Sequence, residues 1–97
     1  MSRREEALCE ELKEVAHRLG VQVREEVLLR EVGYRVRSGG CRVHGADVIF
    51  LDRNLPPAER VQVLLDELAA RDLGALENIY LSPDVRRLLE RHSGASG

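Results

Sequence analysis

Aromatic side chains are nearly missing from this sequence: two Tyr, one Phe and no Trp among 97 residues. Proteins that hold single-stranded nucleic acid stack its bases on aromatic rings, and Tyr34, Phe50 and Tyr80 are too few to furnish such platforms. Lysine is scarcer still, with Lys13 alone beside fourteen Arg. The 15 basic residues are outnumbered by 17 acidic ones, for a formal charge of −2 and a pI near 5.9. The basic face that most nucleic-acid binders need is therefore absent from the global balance, and nucleic acid is not an expected partner. No apolar run approaches the ~20 residues of a membrane span, so no membrane partner is expected either. Residues 1–6 are charged where a signal peptide would begin its apolar core. Cys9 and Cys41 stand far apart and form no CxxC pair; two free thiols in a reducing cytoplasm are the expectation. The glycines form no strand-to-helix phosphate loop, and no Ser stands in a nucleophile elbow.

What is present suits one small globular domain. The chain is 43% hydrophobic and 33% charged, values of a folded protein rather than a disordered one. A chain this short builds one core between two layers, with little room for a deep pocket unless a second subunit helps to form it. Its Arg-rich basic complement would suit carboxylate or phosphate recognition, but a GC-rich genome or a heat-adapted host is the simpler reading. Residues 1–92 read as the domain and residues 93–97, Ser-Gly-Ala-Ser-Gly, as a flexible tail.

The hydrophobic pattern changes period along the chain. Over residues 3–19, Leu8, Leu12, Val15, Ala16 and Leu19 form one apolar helical stripe. Glu5 and Glu6 sit in its first turn and His17 and Arg18 in its last, as the helix dipole favours, and Gly20 supplies a stop. Val21 and Val23 then alternate with Gln22 and Arg24. Alternation is strongest from Tyr34 to Leu51, with Gly39-Gly40 expected as a hairpin turn, a second turn at Gly45-Ala46, and Val48-Ile49-Phe50-Leu51 as a central strand covered on both faces. Pro56-Pro57 opens a second helix with the stripe Val61, Leu64, Leu65, Leu68. Ile79-Tyr80-Leu81 is a candidate short strand, and Ser82-Pro83-Asp84 caps a last helix carrying Val85, Leu88 and Leu89. The predicted order is α-β-β-β-α-(β)-α: an α+β two-layer sandwich, its small sheet antiparallel and its helices on one face.

Three groups of residues could carry chemistry. The first is Asp66-Glu67-Leu68-Ala69-Ala70, which follows the apolar strand Val48-Ile49-Phe50-Leu51 and the segment Leu55-Pro56-Pro57-Ala58-Glu59-Arg60. With this order of elements, residues 5–72 resemble the ImmA/IrrE-type zinc metallopeptidases, whose active-site helix carries H-E-L-x-H. In such a helix two His at i and i+4 grip zinc on one face and the Glu activates the bound water. The resemblance places Asp66 and Ala70 at the two His positions and Glu67 at the general base. Asp66 could ligate a metal and Ala70 cannot, so a degenerate, non-catalytic relative is implied. Apart from that resemblance, Asp66 and Glu67 read as the solvated face of an amphipathic helix.

The second group is cationic. If Gly39-Gly40 is the hairpin loop, Arg37 faces Arg42, Arg35 faces His44, and three Arg and a His share one side of the sheet. Like charges placed opposite each other cost stability, so a sheet that keeps them could hold an anion, a phosphate or an acidic surface. The alternative is a solvated face neutralised by Glu25, Glu26, Glu31 or Asp47. The third group is Cys41, His44 and Asp47, spaced three and three around a turn. Structural zinc takes four ligands, and in this register Cys41 faces away from His44, as a small core residue.

The expectation is a non-enzymatic interaction or regulatory domain without a cofactor, binding a protein partner or itself through Arg35, Arg37, Arg42 and His44. The rival is a metal-dependent hydrolase using Glu67 and Asp66, with further ligands supplied from elsewhere.

Overall fold

The helix expected at the start of the chain forms because its apolar residues recur every three or four positions. A computed structural model describes residues 3–26, 39–71, 74 and 79–94, with side chains to residue 92. In it, α1 spans Arg3–Arg18 and buries Cys9, Leu12, Val15 and Ala16 along one stripe. Gly20 follows with φ 80°, and Val21 donates its N–H back to the Ala16 carbonyl at 2.9 Å. The chain thus turns directly into β1 (Gln22–Glu26).

Two further strands, β2 (Gly39–Val43) and β3 (Ala46–Asp52), complete a three-stranded sheet in the order β1-β3-β2. The apolar strand is central, as its sequence implies. Ile49 and Leu51 are fully buried on the helix side, and Val48 is buried on the other. Arg24, the cross-strand partner of Phe50, lays its guanidinium 5.7 Å from that ring. The sheet is mixed rather than antiparallel: β2 pairs antiparallel with β3, but β1 runs parallel to it, Val23 opposite Ile49 and Glu25 opposite Leu51. Alternation of side chains reads the same in either strand direction, so the pattern could not show this.

The tight turn lies elsewhere than expected. Gly39 and Gly40 are strand residues paired with Phe50 and Ile49, and the loop is His44-Gly45, closed by the pair Val43 and Ala46. Both loop residues are left-handed, with φ 51° and 81°, the backbone of a type I′ turn.

Helix α2 (Pro57–Ala69) buries Pro57, Val61, Leu64, Leu65 and Leu68. No strand forms at residues 79–81. Helix α3 (Pro83–Gly94) begins at the expected cap, where Ser82 Oγ accepts from the Val85 N–H at 3.3 Å. It continues to Gly94, past the point where a flexible tail was expected. All three helices meet Ile49 and Leu51 in one apolar cluster on one face of the sheet. The result is an α+β two-layer fold in the order α-β-β-β-α-α. No helix among the described residues is long and apolar enough to cross a membrane.

Candidate functional site

Of the residues singled out in the sequence, Glu67 and Asp47 come together where the last turn of α2 meets the β2–β3 hairpin. In the hairpin register Arg42 stands opposite Asp47, and the next pair on the same face is Gly40 and Ile49. That face looks toward the helices. Glu67 and Arg71 lie one helical turn apart at the end of α2 and reach over it.

Arg71 holds the junction. Its Nε donates to Asp47 Oδ2 at 2.8 Å and its Nη2 to Asp47 Oδ1 at 2.5 Å, a fork-on-carboxylate geometry. Its Nη1 donates to the Glu67 carbonyl at 2.5 Å and reaches Glu67 Oε1 at 3.4 Å. The hydrogen bonds from Arg71 hold the Asp47 carboxyl below its usual range, with the charges of Arg71 and Arg42 adding to the effect against partial desolvation. Reciprocally, the bond to Asp47 raises the Arg71 pKa. The Glu67 carboxylate lies directly over Gly40. A Cβ at that glycine would collide with Glu67 Oε1 and stand 3.0 Å from Arg71 Nη2. Arg71 is the residue that sequence reasoning missed. Its available signal was the i,i+4 spacing from Glu67, and its second partner, Asp47, is 24 residues away in sequence.

Asp66, Glu67 and Ala70 are thereby separated in role. Glu67 is engaged with Arg71 above β2. Asp66 points the other way, its side chain 68% exposed, with His92 Nε2 of α3 at 3.4 Å. His92 Nδ1 donates to the Leu88 carbonyl at 3.1 Å. Ala70 ends the helix. The solvated-face expectation therefore fits Asp66 and not Glu67, which is partly buried against the sheet.

The cationic group is also rearranged. Arg35 and Arg37 lie outside the described residues. Because Gly39-Gly40 is not the turn, the opposition of Arg37 to Arg42 and of Arg35 to His44 is overturned: Arg42 faces an acid, Asp47. Arg42 and His44 are exposed at the hairpin end, and Arg42 Nη1 donates to the Gly45 carbonyl at 3.3 Å. Cys41, Asp47 and His44 do not converge. Cys41 pairs with Val48 on the face away from the helices and is exposed rather than a core residue. Asp47 is on the helix side, and His44 is in the turn. Among the described residues, no group of three or more His, Cys, Asp or Glu is placed to hold a metal ion.

A second polar cluster surrounds the other thiol. Cys9 is 3% exposed; burial raises its pKa, against the opposing charges of Lys13 and Arg60. Lys13 Nζ bonds Glu25 at 3.1 Å and also pairs with Glu10. Burial works against the Lys13 charge, but these two carboxylates outweigh it and raise the Lys13 pKa. Arg60 Nη1 stands 3.6 Å from Glu25, while its Nε is buried without a hydrogen-bond partner. The cluster joins α1 and α2 to β1. No family model, no curated protein and no solved structure matches the chain.

Proposed function

We propose that this chain is a non-catalytic interaction domain that engages an acidic protein surface through the end of its β2–β3 hairpin. The observation that carries this reading is the engagement of Glu67. A general base must be free to accept a proton from water or substrate, whereas the Glu67 carboxylate is turned onto Arg71 and packed over Gly40. The α2 end acts in this reading as a brace that fixes the hairpin, leaving Arg42 and His44 exposed at its tip. Arg presents a planar donor fork suited to carboxylates, and a short rigid hairpin presents it with little entropy to lose on binding. The ImmA/IrrE resemblance enters this proposal as a retained scaffold in which Asp66 and Ala70 stand where zinc-gripping His residues would be.

The test is charge reversal. A fluorescein-labelled octaglutamate peptide is titrated against the wild type and against the variant Arg42→Glu. Affinity is expected to fall roughly 10-fold or more, as when charge-assisted contacts are inverted, with the far-UV circular dichroism unchanged. Equal binding by the two proteins would overturn the site.

The rival hydrolase reading has one observation in its favour. The fold brings the imidazole of His92 to Asp66. Near-stoichiometric zinc in the purified protein, lost in Asp66→Ala, would favour that reading over the interaction domain.

A further inference from the structure

Tyr80 is the one large hydrophobic side chain found exposed among the described residues, at 85%. It is not carried on a loose strand of chain. Leu81 beside it is buried, Ile79 on its other side packs against the core, and the Ser82 N–H donates to Glu11 Oε2 of α1 at 2.8 Å. The ring therefore projects from a backbone pinned on both sides, beside a groove of about 420 Å³ lined by Glu11, Glu14, Val15, Arg18, Ile79 and Tyr80. A pinned aromatic next to an amphipathic groove is the usual form of an interface anchor.

From this arrangement we infer that a second copy of the chain docks here, α1 antiparallel to α1 of its partner, each Tyr80 entering the other's groove. Two features select a second copy over an unrelated partner. Knob and groove share one surface, so a two-fold axis satisfies both at once and closes the assembly. The charges on α1 are also self-complementary when reversed. After Arg3 and Arg4, the acids Glu5, Glu6, Glu10, Glu11 and Glu14 outnumber Lys13, and His17 and Arg18 end the helix. An antiparallel neighbour brings Glu14 to the partner's Arg18, and Arg18 to the partner's Glu14. Within one copy these two form an exposed i,i+4 pair at 3.2 Å, which contributes little in water and is readily exchanged for the pair across the interface. Opposed helix dipoles add to the preference. An interface of two exchanged rings and two helix edges is small, and a weak dimer is expected, with a dissociation constant on the order of 1–100 μM.

This inference rests on the interaction-domain reading but uses a different surface from the hairpin end, so either can fail alone. Sedimentation velocity of the full chain is measured over a concentration series that spans this range. The wild type is expected to shift from monomer to dimer. Tyr80→Ala should weaken association roughly 10-fold or more with an unchanged thermal transition at low concentration. Glu14→Arg and Arg18→Glu should each weaken it, and the double variant Glu14→Arg, Arg18→Glu should restore it, because the swap recreates both cross-pairs. A wild type that stays monomeric throughout, or a Tyr80→Ala variant that dimerises like the wild type, would overturn the inference. Failure of the double variant to regain the dimer would overturn the antiparallel geometry. None of these outcomes bears on octaglutamate binding at the hairpin.

Discussion

Arg71 stands just past the end of α2, and its guanidinium joins two parts of the chain: α2, through the carbonyl and carboxylate of Glu67, and β3, through Asp47. Only 18% of its side chain is exposed, so its pairing escapes much of the screening that makes surface ion pairs weak. Arg71→Gln leaves Asp47 without its fork, and the unfolding free energy at neutral pH should fall by about 1 kcal/mol. The dependence on pH follows from the depressed carboxyl. Because the folded pKa of Asp47 lies below its unfolded value, the carboxylate's contribution is complete above the unfolded pKa, about 3.9. It is lost as pH falls through the folded pKa. The gap between wild type and Arg71→Gln should therefore be constant from pH 5 to 7 and narrow below about pH 4. Urea titrations at a series of pH values measure it. A gap that widens in acid would mean that Arg71 acts through something other than Asp47.

The hairpin is the element that sequence and structure assign differently, and the reason is local. Gly-Gly is a strong turn signal, but Gly40 is needed inside β2 because the Glu67 carboxylate occupies the space of a side chain there. That requirement comes from residues on another element and leaves no mark within residues 34–51. The turn actually used, His44-Gly45, places a non-glycine residue at φ 51° and glycine at φ 81°. Open space surrounds Gly45, so Gly45→Ala would meet only backbone strain and should cost about 1–2 kcal/mol. His44→Gly should leave stability equal or higher, and thermal melts of the two variants provide the comparison. Elements whose signal is contained in their own residues were legible: the stripe of α1, the proline start of α2, the Ser82 cap of α3 and the central apolar strand. The parallel pairing of β1 was not, because direction leaves no trace in alternation, and the Arg71–Asp47 bond was not, because nothing nearby in sequence links the two residues.

At the scale of the molecule, the question is whether α3 belongs to the cooperative unit or merely rests upon it. It is short, with 12 residues, and isolated helices of that length are marginal in water. Its stability must come from packing, and Val85 and Leu89 lie in the same apolar cluster as Leu12, Leu64, Leu68, Ile49 and Leu51. Among the described residues the buried hydrophobic side chains, Val48 on the opposite face apart, all lie in that cluster, so opening it removes most of what a small domain has to hold its sheet. Leu89→Ala removes a side chain that is 2% exposed and should cost about 2–4 kcal/mol, lowering the melting temperature by roughly 10–20 °C. The distinguishing measurement is amide exchange in β3, the element farthest inside the sheet. If the fold is one unit, protection of Ile49 and Leu51 falls by the same free energy as the global transition. If α3 opens as a local unit, those amides keep their protection while α3 alone exchanges faster. The first result would mean that an event at the Tyr80 groove, which adjoins the start of α3, is felt throughout the sheet and at the hairpin; the second would make the two surfaces energetically independent.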